Sequence, residues 1–566
     1  MTAAVPPPPP AGPAGAARAP GAPRRPHGRA RALAGTLAGL LVVAGVAAGA
    51  TRGADLVPAA ESGTTDLASR SAHVDVPPGD TVLGCPAPAR ITDTRTGGDA
   101  QFTASPADTW SSLRVVAAAG GGAVVAGLGS SSAPLTTLSA TSGTAPRVST
   151  VIDPDGATGI RADPGGRVDP VVAASLASTT SRGDLRGLAA TACSAPATDL
   201  WLVGGSTTVG SSTRLVVQNP GRHAATVTVE VLGANGAVTL ADAASLVVPA
   251  GKEVTRLVES AAADQDRTVV HVSATGAAVT AYLQHTVLDG IVPQGVDFVA
   301  AGAEPARHAV VSGIVSRGEA VADARAPRLR LLATQRSTTA DISVWGTSGR
   351  VWLHGLESVD LTRGEVVDVP LGGLPAGTYS VVVDAGSDVV AGGFEQRPGD
   401  APATAATPWD TAWVPSQPWA ADQDAPSASS SPVAVPARVA AAVVLTAVPE
   451  ERASDAKGGG PVLAATVVVV TTDGQRVAKA FAVKAGWTRV VDPAEVTSAE
   501  PAAVLVEAPT VGATGAAWSV VLSTGSPTPG IAGPAPGKLF SVVAPVGAPA
   551  ASSAVRVQQD PTVGLG

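Results

Sequence analysis

The sequence predicts an all-β protein, tandem immunoglobulin-like β-sandwich units after one N-terminal transmembrane helix. Three observations lead there. Of 566 residues, 64 are Gly and 48 are Pro, the apolar 45% is largely Ala and Val, and aromatics make up only 3%. Val packs well on a pleated surface, and Gly and Pro punctuate it. The segment "ATVTVEVLG" sets Val227, Val229 and Val231 against Thr226, Thr228 and Glu230, the period of two that gives a strand one buried face. Finally, a pattern of short apolar strand, polar turn and Gly-ended hairpin recurs every 100 residues or so, about the length of one sandwich. A closed, propeller-like ring of four β units is the alternative, because "KLFSVVAPVG" from Lys538 resembles a unit-opening strand.

The elements follow in order. Residues 1–31 carry Pro6 to Pro10 and five arginines without an acid, which reads as a disordered cytoplasmic tail. The run "ALAGTLAGLLVVAGVAAGA" at 32–50 is long enough, at ~1.5 Å per residue, to span a bilayer. Arginines before it place the N-terminus in the cytoplasm and the bulk outside. Ala48-Gly49-Ala50 also fits a cleavage site, so a secreted product after signal cleavage is the competing reading; the long charged segment favours the anchor. Residues 51–84 then form a linker, and β units are expected at 85–192, 193–304, 305–398 and 437–525. A Pro/Trp/Ser-rich linker with an opening strand occupies 399–436, and a C-terminal strand and tail occupy 526–566. Beyond residue 50 the one segment with helical character is "DPVVAASLAS" from Asp169.

Chemistry is sparse. The two cysteines, Cys85 and Cys193, each sit in a Cys-x-Ala-Pro-Ala context downstream of an export-type segment and read as one disulfide stapling the first unit to the second. The seven histidines contain no H-E-x-x-H or H-x-H pair, and no G-x-S-x-G occurs, so neither zinc nor a serine nucleophile is indicated. His271 and His285 are expected on consecutive strands of one hairpin, where they would meet. Asp153, Asp155 and Asp163 lie among turn residues but lack EF-hand spacing. Gly205 and Gly210 are spaced as in a phosphate loop, but Ser211 stands where the lysine is needed and a strand follows instead of a helix. A net charge of −8 with scattered cations disfavours nucleic acid. No catalytic residue, cofactor, metal or nucleotide is therefore expected. Trp409, Trp413 and Trp419 could stack on sugar rings or plug the ends of sheets.

The arginine-rich start, the single apolar span and "CSAPATDLWLVGGSTTVGSSTRLVVQNPGRHAATVTVEVLGANG" with "VVPAG" and "LDGIVPQGVDFV" resemble an uncharacterised family of exported actinobacterial envelope proteins, a domain of unknown function. The resemblance is strongest over 185–315. It implies compartment and β architecture and carries over no catalytic residues. The expected function is a non-enzymatic, membrane-anchored extracytoplasmic β-repeat protein with a structural or docking role at the cell envelope. Its partners would be the membrane through 32–50 and envelope polysaccharide or other envelope proteins. The alternatives are a secreted carbohydrate-binding or cell-wall-binding module array, and an envelope hydrolase using a carboxylate pair.

Overall fold

The computed structural model describes residues 71–558 apart from short stretches, the longest being 92–101, 419–430 and 450–460. The regular structure among the described residues is almost all antiparallel β, with one α-helical turn at Val258–Ala261 and a 3-10 turn at Pro493–Glu495. No described helix is long and apolar enough to cross a membrane; the run 32–50 and the tail before it lie outside the described residues, as does Trp419. A small separate unit holds the two-stranded sheet of Ser71–Val76 and Ser553–Gln558.

Within 75–554 one strand order occurs four times. Its clearest copy follows Cys193. One sheet runs Asp199–Val203, Val269–Thr275, Ala225–Gly233 and Gly236–Ala237, with Ser245–Val248 also on Ala225–Gly233. The other sheet runs Lys252–Leu257, Ser211–Asn219, Thr280–Asp289 and Val292–Ala300. The predicted alternation is present: Val227, Val229 and Val231 are buried while Thr226, Thr228 and Glu230 are exposed. Leu215, Val217 and Leu283 from the second sheet join those valines in one core. Burying a Val or Leu side chain contributes about 1.5–3 kcal/mol, so two such faces sustain a core without helices.

The first copy pairs the order Thr81–Cys85, Thr158–Ala162, Ala123–Gly127, Thr136–Leu138 with the order Arg147–Ile152, Thr109–Ala119, Val171–Thr180, Gly187–Ala192. Val171–Thr180 is thus a strand, which corrects the expectation of a helix there. It lies between two partners, and its Ser and Thr residues suit a pleated ladder better than a helix interior. The fourth copy has Val433–Ala434, Pro501–Glu507, Val462–Thr471, Arg476–Lys484 against Trp487–Val491, Ala440–Pro449, Thr514–Ser523, Phe540–Val543.

The third copy differs. Two strands that are separate in the other copies are here one 22-residue strand, Gly377–Pro398. Its first half pairs with Ala306–Ser316 and Thr338–Gly346, and its second with Arg328–Ala333 and Trp409–Pro415, so nine strands form one continuous sheet. Trp409–Pro415, part of the segment expected to lead into the fourth unit, is the closing strand of this third copy.

The disulfide forms between Cys85, the last residue of the opening strand, and Cys193, just past Gly187–Ala192. Both sulfurs are buried, and Gly84 and Ser194 beside them exchange backbone hydrogen bonds of 2.9 and 3.1 Å. Gln218 Nε2 of the second copy donates to the Cys85 carbonyl at 3.1 Å, so the bridge lies where the first copy meets the second.

Candidate functional site

Each copy ends in a closing strand at the edge of its second sheet: Gly187–Ala192, Val292–Ala300, Trp409–Pro415 and Phe540–Val543. These four strands meet one another in cyclic order, the fourth touching the first. Among the described residues no sheet closes on itself as a barrel. Small residues permit the approach. Gly295 adopts φ +113, and a Cβ there would meet the Thr411 amide nitrogen at 2.4 Å.

Asp297 sits at the centre of this junction, fully buried. Its Oδ1 accepts from the Ala190 amide at 3.2 Å, and its Oδ2 from the Trp413 amide at 2.8 Å. The Ser541 hydroxyl lies 2.9 Å from Oδ1 and 3.2 Å from the Ala190 carbonyl. One carboxyl therefore gathers polar groups from all four copies. Burial pushes its pKa well above the ordinary carboxylate range, with the surrounding donors opposing.

A second layer holds Asp410, Glu395 and Arg397. Asp410 stands directly across the strand pair from Arg397, and its Oδ2 accepts from the Phe540 amide at 2.8 Å. Glu395 Oε2 accepts from the Val315 amide at 3.0 Å. Burial pushes Glu395 up to about 8 and Asp410 up to about 7. Among the described residues, Asp410 Oδ1, Glu395 Oε1 and the Nε and Nη2 atoms of Arg397 have no hydrogen-bond partner. The guanidinium of Arg397 instead lies 5.0 Å from the Phe540 ring centroid.

Beyond the ends of the closing strands opens a cavity of about 460 Å³. Its wall is mainly apolar, from Ala192, Ala301, Pro415, Pro418 and Val543, and Glu304 is the one charged residue lining it. Thr191 and Ser416 also line it, and Ser416 Oγ accepts from the Ala303 amide at 3.2 Å.

The strongest approach to catalytic geometry is elsewhere. His285 is buried with Nε2 2.8 Å from Ser211 Oγ and 3.2 Å from Ser206 Oγ. Trp413 Nε1, which can only donate, lies 3.2 Å from His285 Nδ1. Nδ1 is thus the acceptor, and the proton of the neutral ring sits on Nε2. A base that activates serine must accept a proton at the nitrogen facing it, and here that nitrogen already carries one. Burial, with Arg330 and Arg328 nearby, pushes His285 down to about 3.

The other expected residues fall as follows. His271 and His285 do not meet, because they lie on strands of opposite sheets. His271 stacks on Trp201 at 4.0 Å, and its Nε2 is 3.1 Å from Asp199. Asp153 Oδ1 accepts from the Ser111 amide at 2.7 Å, a contact across the pair Thr109–Ala119 and Arg147–Ile152. The loop at Gly205 turns carbonyls, not amides, toward a cation: Arg330 Nη1 donates to the Gly205 carbonyl at 2.6 Å and the Thr268 carbonyl at 3.1 Å. The same guanidinium forks onto Asp368 at 2.7 and 3.0 Å, linking third and second copies. Trp409 and Trp413 are only 6% and 3% exposed. Arg325 and Arg317 lie over the Trp409 ring at 4.2 and 5.0 Å, and Trp413 packs on Phe394 at 4.6 Å. Sugar stacking needs a free ring face, so burial corrects that expectation for both, and they plug the junction.

Exposed indoles occur away from the cluster of tryptophans at 409–419. Trp352 is 50% and Trp487 36% exposed. Trp352 follows the hairpin that turns at Gly349, and Trp487 follows the turn at Gly486, which joins Arg476–Lys484 of one sheet to Trp487–Val491 of the other. A Cβ on Gly349 would lie 3.3 Å from Trp487 Nε1, and a Cβ on Gly486 would lie 2.5 Å from the Trp345 ring, so each turn glycine seats an indole of the other turn. The signal available was "VWGTSGRVW" against "VKAGWTR", two Gly turns flanked by Trp and cations, which a search for clustered tryptophans passes over.

Among known proteins, a model described as a family of unknown function (DUF5719) matches residues 139–494, a span that begins in the first copy and ends in the fourth. No curated protein matches the chain.

Proposed function

We propose, for a chain that belongs to the DUF5719 family, a non-enzymatic role as a membrane-held extracytoplasmic scaffold. In this reading four immunoglobulin-like sandwiches are fixed around one junction, and their outer hairpins dock components of the cell envelope. The observation that supports it best is the use made of the buried polar side chains. Asp297 ties the four closing strands together, Arg330 ties the third copy to the second, and His285 faces Ser211 with a nitrogen that already bears hydrogen. Groups that elsewhere perform chemistry are here committed to holding units in place.

The disulfide favours an oxidising compartment, and the apolar run 32–50 supplies the anchor. The test is labelling of intact cells with a membrane-impermeant amine reagent, followed by non-reducing electrophoresis. Lysines such as Lys252 and Lys538 should be modified without lysis, and the chain should run faster unreduced than reduced. Protection of those lysines until lysis would defeat the reading. A new N-terminus at Thr51 would replace the anchor with secretion.

A second reading, carbohydrate binding, is favoured by the exposure of Trp352 and Trp487, whose indole faces are the means by which proteins hold sugar rings.

A further inference from the structure

We infer that the strand Arg476–Lys484, on the outer edge of the fourth copy, accepts an extended acidic segment of another protein as an added antiparallel strand. The inference rests on the scaffold reading and gives it a docking edge and a partner class.

Three observations carry it. First, the edge is long where its counterparts are short. Among the described residues, the corresponding edge of the first copy is Thr136–Leu138, that of the second is split into Gly236–Ala237 and Ser245–Val248, and that of the third into Gly349–Val351 and Ser358–Leu361. None of these pieces exceeds four residues, whereas Arg476–Lys484 runs for nine and pairs along its length without a shift of register. Short, broken edges keep a sheet from recruiting foreign strands, and a long regular edge is a template for one.

Second, its backbone groups face outward in a fixed pattern. The Ala485 N–H donates to the Pro461 carbonyl and the Thr471 N–H to the Gln475 carbonyl, both at 2.9 Å. Bonded and non-bonded pairs alternate in an antiparallel ladder, so Val477, Lys479, Phe481 and Val483 are the residues that bond inward to Val462–Thr471. The amides and carbonyls of Arg476, Ala478, Ala480, Ala482 and Lys484 therefore point away from the sheet. Ala478, Ala480 and Ala482 are exposed, and their methyl groups leave room for a neighbouring strand.

Third, the charge is one-sided. The strand carries Arg476, Lys479 and Lys484 and no acid. Arg476 pairs with Glu507. Among the described residues Lys479 and Lys484 form no ion pair, and they lie 5.4 and 5.1 Å from the ring centroids of Phe481 and Trp487. A second copy laid antiparallel on this edge about Ala480 would set Arg476 against Lys484, and like charges placed opposite each other repel. Carboxylates on an incoming strand meet attraction instead. A lysine that guards an edge would stand among the outward backbone groups, where Arg476 and Lys484 instead flank the alanines.

The test uses the purified full chain and reads the anisotropy of labelled nine-residue peptides. The probes alternate Val with Glu, or Val with Lys, and a third is the Val–Glu peptide N-methylated at every amide, which keeps its charge and loses its donors. The Val–Glu peptide should bind at least tenfold tighter than either of the others. Lys484→Gln should weaken that binding about threefold, and Ala480→Pro at least tenfold. Proline at 480 removes an N–H that points outward, so the ladder to Val462–Thr471 keeps its bonds. If that variant fails to fold, the N-methylated peptide on the parent chain still decides. No binding of the Val–Glu peptide, equal binding of its N-methylated form or of the Val–Lys peptide, or binding unchanged in folded Ala480→Pro overturns the inference. Dimerisation of the chain that Ala480→Pro abolishes also overturns it, by giving the edge to a second copy. These outcomes do not depend on where the protein resides, so their failure leaves the scaffold's location standing, and failed surface labelling leaves the edge intact.

Discussion

The junction and the rim where the third copy meets the fourth are built from similar residues, Trp, Arg and small turn formers, yet burial sends them to opposite uses. At the junction Trp409 and Trp413 are covered, cations close over their rings, and Asp297 is surrounded by donors from other strands. On the rim Trp352 and Trp487 keep open surface, with Arg350 and Lys484 over their rings, and among the described residues Lys484 forms no ion pair. In this protein the exposure of an indole is decided by whether the strand order repeated in the four copies brings it to the centre or to the rim.

The sharpest way to break the comparison is to loosen the junction and ask whether the rim survives. Replacing Cys85 and Cys193 by Ser releases a loop with a sequence separation of 108 residues. The chain-entropy model puts the loss at about 4–5 kcal/mol, readable as a lowered urea midpoint. Asp297→Ala should cost about 3–5 kcal/mol by the same measure, because it removes the acceptor of the Ala190 and Trp413 amides and leaves the Ser541 hydroxyl with the Ala190 carbonyl alone. If that variant were as stable as the parent, Asp297 would not be the tie described here.

Acidity probes the junction more gently. Unfolded Glu and Asp titrate near ~4.3 and ~3.9, whereas folded Glu395 and Asp410 do so at about 8 and about 7. The folded chain therefore keeps protons that the unfolded chain has released. Their contribution is full below about pH 4 and is lost as pH rises toward 8. His285, held at about 3, works the other way: its contribution is full above its unfolded value near ~6.5 and is lost as pH falls. Between pH 6.5 and 8 only the acids still change, so stability should fall over that window, and Glu395→Gln should flatten the slope. The smallest effect belongs to the rim. Trp352→Ala should alter the urea midpoint by about 1 kcal/mol or less, since half of that side chain is already in water.

Much of the β architecture was legible because alternation such as that of Val227, Val229 and Val231 is a local consequence of a half-buried face. The disulfide was legible from two cysteines in matching contexts. The closing strands were not. "GLAATA", "VPQGVDFVA" and "WDTAWVP" are buried on both faces and lack alternation, so they do not announce which unit they complete. The fate of Trp409 and Trp413 followed from that, since clustering in sequence says nothing about which neighbours will cover a ring. His271 and His285 were misplaced because successive strands of this order cross between sheets instead of forming a hairpin. The rim depends on glycines 137 residues apart, each seating an indole of the other's turn, a pairing that no single stretch encodes.

Ser541 completes a set of contacts begun at Ala190, 351 positions earlier. A chain emerging from the ribosome or a secretion pore can build its first three copies, but the centre they surround stays open until Phe540–Val543 arrives. A truncated product would leave the Asp297 centre unsealed and apolar edges uncovered, the features by which folding factors and proteases distinguish unfinished chains from finished ones.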